Sequence, residues 1–303
     1  MSHNFTFADT LASAGRAAWA LDDVLAPGQL LDFRRCFMPE ALARIGRLPG
    51  LSEDERMILN HIRGHEYLGI FGLVEEFILP FVLDHARTRL HEDDYRIRAL
   101  LQFAGEEAKH IQLFKRYHAA FRAGFAVDCG MIGPAEAIAA EVLRHDPLSV
   151  ALVILQIEWM SQRHYLDSIR DDGDLDPLFK SLLRHHWMEE AQHAKLDTLM
   201  VEALARDYSS AAMAEAVDGY LAIGAFLDDG LKAQTELNLT AFERAIGRKL
   251  SDEDRAEFST QQHQAARWAY IGSGMTHPQF RATLDAISPA GRVRVDQLAP
   301  TFA

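Results

Sequence analysis

Two short segments constrain this chain more than anything else in it. Phe103-Ala104-Gly105-Glu106-Glu107-Ala108-Lys109-His110 and Trp187-Met188-Glu189-Glu190-Ala191-Gln192-His193 both carry Glu-Glu-Ala-x-His. On an α-helix residues i and i+3 share a face, so Glu107 with His110, and Glu190 with His193, each aim an oxygen and a nitrogen at one point. A single Glu-x-x-His is unremarkable among 44 acidic residues. Two of them, both inside helical patterns, imply two helices that present paired ligands to a common interior.

The rest of the chain reads as helical, with no alternating strand pattern of any length. After an N-terminal arm and a helix near 37 to 47, Leu51-Ser52-Glu53-Asp54-Glu55 holds the Ser-x-x-Glu capping box that opens a helix running to about Leu90. A second long helix is expected from near Asp93 to about Phe125. Asp128-Cys129-Gly130-Met131-Ile132-Gly133-Pro134 then breaks the chain, and Pro134 opens a short helix within a crossover. A third long helix follows Asp146-Pro147 and ends at Asp171-Asp172-Gly173. A fourth runs from about Asp174 to Arg206, and further helices are expected over about Ser210 to Ile246, from Ser251 to about Ile271, and after Pro278. The expected fold is all-α: a ferritin-like four-helix bundle over 51–208 with a di-metal site in its core, preceded by an arm and short helix over 1–50. Helices over 209–303 pack on that bundle to make one compact domain. The apolar stretch 67–83 is interrupted by Glu75 and Glu76, which a membrane span would not place at its centre, so it reads as a buried helix that Pro80 should kink.

In di-metal carboxylate bundles two helices each give one Glu and the other two each give Glu-x-x-His. Glu158 lies on the third helix, 32 residues before Glu190, and the same offset back from Glu107 reaches Glu75. Direction separates Glu75 from its neighbour Glu76. At roughly 100° per residue, Glu75 lies opposite the polar residues Arg63, Glu66, Asp84 and Arg87, whereas Glu76 falls to the side. Glu75 is therefore the expected ligand, with Glu76 the alternative if Pro80 twists the helix. Four carboxylates and two imidazoles inside an apolar bundle need compensation, and two divalent cations supply it. Carboxylate with imidazole suits iron, with manganese an alternative, and open positions at such a pair suit O₂ chemistry. Glu106, Glu189 and Asp197 are candidates to accept hydrogen bonds from the ligand histidines.

His186 lies four residues before Glu190 on the same face. The order Glu, Glu-x-x-His, Glu, His-x-x-x-Glu-x-x-His resembles the non-haem di-iron N-oxygenase family typified by p-aminobenzoate N-oxygenase, over roughly residues 60 to 200. The resemblance implies that Glu75, Glu107, His110, Glu158, His186, Glu190 and His193 hold two irons which, once reduced, activate O₂ to oxidise a small organic substrate. It favours N-oxygenation of an arylamine. C–H hydroxylation or desaturation on the same site, and iron handling of the ferritin type, stand as alternatives. His61, His65, His118, His164 and His185 read as structural or exposed. Tyr165 is a candidate for the pocket wall, and Trp159 and Trp187 read as core.

Composition removes other classes. The net charge of −13, with basic residues scattered among acids, leaves no footprint for nucleic acid. Cys36 and Cys129 make no disulfide framework, and the N-terminus lacks a basic and apolar leader, so the expectation is a cytoplasmic protein. No Gly-rich phosphate loop or nucleophile elbow occurs, and no flavin or iron–sulfur motif, which makes an external electron donor or reductase the expected partner. A homodimer is also expected of such bundles.

Overall fold

The structure, a computed structural model, describes residues 3–88, 90–91 and 94–303. It is all-α. Among the described residues there is no strand, only an isolated bridge between Cys36 and Leu175. The elements in chain order are α1 (Phe7–Ala17), α2 (Leu21–Val24), α3 (Glu40–Ala43), α4 (Glu53–Arg87), α5 (Asp94–Gly124), α6 (Ala135–Leu143), α7 (Pro147–His164), α8 (Pro177–Ala205), α9 (Ser210–Ile246), α10 (Asp252–Arg267), α11 (Ser273–Met275), α12 (Pro278–Ile287) and α13 (Pro289–Leu298). Two π-helical turns, Tyr165–Ile169 and Trp268–Gly272, continue α7 and α10.

The long helices start where side chains satisfy their first amides. Ser52 and Glu55 form the reciprocal box expected from the sequence, with Glu55 N donating to Ser52 Oγ at 3.2 Å and Ser52 N to Glu55 Oε2 at 2.9 Å. Asp146 caps α7 through Leu148 N, with Pro147 in the first turn. Asp176 caps α8 through Phe179 N, and its other oxygen accepts from Asp32 N, which pins the N-terminal arm to the start of that helix. Helix α4 runs unbroken through Pro80. Its end at Arg87 falls short of the expected Leu90, and the expected start of α5 at Asp93 lies outside the described residues.

Helices α4, α5, α7 and α8 form the four-helix bundle, with α4 packed on α5, α7 on α8, and α5 on α8. Both α7 and α4 are buried around most of their circumference, because α9 covers the two of them on the far side and α6 closes on α4. That second layer explains the first correction. Arg63 and Glu66, assigned to a polar outer face, are 3% and 1% exposed and pair with each other at 2.5 Å against α9. Other differences are local. The N-terminal arm carries a true helix, α1, which packs on α5 and α8. The helix expected near 37 to 47 is one α-turn and a 3₁₀ turn. The last expected helix is two, α12 and α13, because Ser288-Pro289 ends one and opens the next. Helix α9 has the length and apolarity of a membrane span, but it packs on α4, α7 and α10 and carries Asp218, Asp228 and Asp229.

Candidate metal centre

The seven sequence-derived positions converge in the bundle core. Glu75 comes from α4, Glu107 and His110 from α5, Glu158 from α7, and His186, Glu190 and His193 from α8. All seven side chains are buried. Ligand atoms of Glu75, His110, His186 and Glu190 lie within 4.8 Å of one another, and so do those of Glu107, His110, Glu190 and His193. Glu158 belongs to neither quartet and instead closes on Glu190. Glu76 is half-buried and faces Lys115 at 3.3 Å, away from the cluster. Of the two adjacent glutamates, Glu75 is the one that lies in the cluster.

Two carboxylates sit between two imidazoles. His110 Nδ1 lies 3.1 Å from Glu190 Oε1 and 3.5 Å from Glu107 Oε2, while His193 Nδ1 lies 2.9 Å from Glu107 Oε1 and 3.3 Å from Glu190 Oε2. His186 Nε2 faces Glu75 at 3.1 Å and Glu190 at 3.0 Å. Its ring is wedged edge-on between Phe71 and Phe114.

The far nitrogens of His110 and His193 are fixed by a crossed pair of carboxylates. His110 Nε2 bonds Glu189 Oε2 at 2.9 Å, and His193 Nε2 bonds Glu106 Oε2 at 2.7 Å. Each histidine is therefore oriented by the glutamate of the opposite helix, which locks α5 to α8 as well as the rings. Glu106 is itself held by Gln102 at 2.9 Å and Gln192 at 3.3 Å, and Glu189 by Lys109 at 2.5 Å. These bonds place the Nδ1 atoms toward the cluster, as metal-ligating histidines are placed. Asp197 is buried nearby but makes no hydrogen bond to a histidine, and its Oδ2 has no partner.

Electrostatics show how poorly this cluster stands by itself. Burial pushes Glu75 and Glu158 well above the usual carboxylate range; the charges of Glu107 and Glu190 add to it at Glu75, and that of Glu190 at Glu158. Burial works against Glu107 too, yet the closeness of Glu75, His110 and His193 holds it down to about 2. Glu190 is likewise lowered against burial, by His186 and His193. Burial disfavours charge on His110 and His193, but the surrounding carboxylates raise both well above an ordinary imidazole. Burial also opposes ionisation of Glu106, whose bonds from His193, Gln102 and Gln192 nevertheless lower it. Several buried atoms, namely both Glu107 oxygens, His110 Nδ1, Glu158 Oε2 and Glu190 Oε1, approach neighbours without the alignment of a hydrogen bond. Buried polar atoms are seldom left so, and atoms in lone-pair-bearing, inward-facing positions fit a bound cation. The donor set, carboxylates with imidazoles and no thiolate, fits two redox-active divalent metals of the iron or manganese kind.

No motif or spacing in the chain signals the cover of this centre. Trp19, on the N-terminal arm, stacks on His110 with centroids 5.9 Å apart and donates its indole N–H to His185 O at 2.9 Å. Lys109 Nζ sits over the Trp19 ring at 3.8 Å and donates to Trp19 O. Of the histidines set aside, His61, His65 and His164 are buried in structural roles; His164 bonds Tyr67 OH at 3.1 Å and Ser273 Oγ at 3.0 Å. Tyr165 stacks on Trp187 at 4.3 Å, which makes it core.

No known family model matches the sequence, and no curated protein matches it. Among solved structures, an R2-like ligand-binding oxidase with aerobically reconstituted Mn/Fe cofactor is similar at 13% identity and a TM-score of 0.46, over 87% of this chain and 96% of that one. A point mutant of such an oxidase, with anaerobically reconstituted Mn/Fe cofactor, is similar at 13% identity and a TM-score of 0.45, over 86% and 91%. A second point mutant in the same anaerobic form gives 14% and 0.45, over 86% and 93%. These are distant likenesses in the course of the chain.

Proposed function

We propose that the protein is a di-metal oxygenase that uses O₂ to oxidise a small organic molecule, and that Glu75, Glu107, His110, Glu158, His186, Glu190 and His193 would hold its two iron ions, or manganese in place of one or both. The observation that carries this reading is the convergence of four carboxylates and three imidazoles, all buried, from four helices. Glu107 and Glu190 each face the Nδ1 atoms of both His110 and His193 and would hold the ions together with them, while Glu75 closes on His186 and Glu158 on Glu190. When bound, the metal pair supplies the electrons that reduce O₂.

The chain's own residues do the rest. Glu106 and Glu189 keep His193 and His110 in one orientation and one tautomer, with the proton on Nε2. Burial raises Glu75 and Glu158 and so disfavours their charge, a cost that bound cations would offset. Trp19 and Phe103 cover His110 and His193, and Phe71 and Phe114 flank His186, which keeps bulk water from the centre. His186, a third imidazole, supports N-oxygenation of an arylamine through the family resemblance. An external reductase supplies electrons for repeated turnover.

The test is to reduce the metal-loaded protein without air, mix it with O₂ in a stopped-flow spectrometer, and analyse products with and without an arylamine. An optical transient whose decay is accelerated by the amine, with an N-oxidised product, supports the reading. A transient that no amine accelerates removes N-oxygenation and keeps the oxygenase; no transient removes both.

A further inference from the structure

Beside the centre lies an apolar cavity of about 210 Å³, bounded by α4, the Ile132–Gly133 crossover, α6, α7, α9 and the π-helical turn Trp268–Gly272. Phe71 links its wall to the proposed ligand His186. Phe71 lines the cavity and lies edge-on to His186 at 5.3 Å, and the lining residues Val74 and Ile157 directly precede Glu75 and Glu158. The π-helical turn matters here because its wider spacing brings Tyr270 and Ile271 together onto the wall.

Among the described residues, Tyr270 is the only one on the lining with a side-chain nitrogen or oxygen, and none is charged. Its hydroxyl faces Glu66. The charges behind that end cancel: buried Arg63 is paired through Nη1 with buried Glu66, Glu66 accepts from Asn238, and Asn238 accepts from Gln234 at 2.9 Å, while Arg63 Nε and Glu66 Oε1 make no hydrogen bond. With no charged residue on the described lining and the charge of Arg63 balanced by Glu66, a carboxylate in the cavity would meet no counter-charge from these side chains, and an unpaired carboxylate is costly to take out of water. A dry apolar cavity of about 150 Å³ holds benzene, so this one has room for a ring with a short substituent.

We infer that this cavity binds an uncharged, largely apolar molecule the size of one substituted aromatic ring, and that it excludes carboxylated analogues. The inference rests on the di-metal reading for its claim that the occupant is the substrate. It narrows that reading, since the family resembled takes its name from a carboxylated arylamine.

The experiment is calorimetric titration of the metal-loaded protein with 4-ethylaniline and with 4-aminobenzoate, which share shape and amine but differ in charge. The neutral amine is expected to bind at least tenfold more tightly. Ile138→Trp on α6, and in parallel Leu227→Trp on α9, project an indole into the cavity and are expected to weaken 4-ethylaniline at least tenfold. Both residues are half-buried, and neither is among the seven proposed ligands, so metal content is expected to stay unchanged. Equal or tighter binding of 4-aminobenzoate, absence of saturable binding by 4-ethylaniline, or unaltered affinity in both folded variants overturns the inference. Metal content measured on the same samples reports on the centre separately, so a protein that holds its metals but binds no amine retires the cavity alone.

Discussion

Glu106→Gln probes the crossed arrangement of carboxylates and histidines with the least disturbance of shape. Glu106 Oε2 accepts from His193 Nε2 at 2.7 Å and from Gln192, while Oε1 accepts from Gln102 at 2.9 Å. A glutamine keeps one acceptor oxygen and turns the other into a donor, so one of these partners faces a donor and His193 retains at best a neutral acceptor. Hydrogen bonds to a charged group contribute about 1.5–3 kcal/mol and neutral ones about 0.5–1.5 kcal/mol, so the loss is about 1–1.5 kcal/mol. At about 1.4 kcal/mol per decade this is about a tenfold weaker metal site. That agrees with the roughly 10- to 100-fold range typical of partners that orient a ligand histidine. Glu189→Gln is expected to cost at least as much, because it also leaves Lys109 without its anion. Glu106→Leu, which removes every acceptor, is expected near the upper end of the range. The assay is competition for Mn(II) against a chelator of known affinity, with circular dichroism to show that each variant is folded. If both glutamine variants bind metal within twofold of the wild type, the carboxylates do not orient the ligands and the reasoning fails.

Other expectations concern cover, packing, capping and pH. Trp19→Ala uncovers His110 and is expected to speed metal loss to a chelator with little change in equilibrium secondary structure. Gly274→Ala would bring a Cβ within 2.5 Å of the Gln156 backbone carbonyl; backbone cannot yield as a side chain does, and a loss of about 1–3 kcal/mol in urea unfolding is expected. Ser52→Ala removes the cap of α4 and is expected to cost about 1 kcal/mol by the same assay. Burial lowers His65 and His164 to about 3 and His118 and His277 to about 4, so they stay neutral in the fold at pH values where the unfolded chain is already protonated. Their stabilisation is complete above the unfolded value near 6.5 and is lost as pH falls from there toward 4, with a slope of up to about 1.4 kcal/mol per pH unit per histidine. His277→Gln is expected to flatten that slope in urea titrations between about pH 6.5 and 4.5, and an unaltered slope would show that this ring is not held neutral.

Helix faces were legible in the sequence because a ligand-bearing face and its polar opposite repeat with the helical period. The same reasoning that chose Glu75 over Glu76 on α4 misassigned Arg63 and Glu66 two to three turns earlier, since period alone treats a polar residue as solvated. Those two are buried as a matched pair under α9, an arrangement that only the second layer of helices creates. Trp19 was invisible for a related reason: an arm residue reaches His110 by tertiary packing, and no spacing along the chain announces it. The π-helical turn at Trp268–Gly272 adds a residue to one turn of a helix, which breaks the period used to read faces and leaves the cavity wall unreadable from sequence.

The central claim is that seven buried side chains form a seat for two metal ions. Anaerobic loading with Fe(II) or Mn(II), removal of loosely bound ions, and elemental analysis against protein concentration test it directly. The account predicts two ions per chain for the wild type and a loss of both in a folded Glu107→Ala/Glu190→Ala variant, since these two carboxylates face both histidines. A wild-type chain that holds none, or one ion that survives the double substitution, would contradict it.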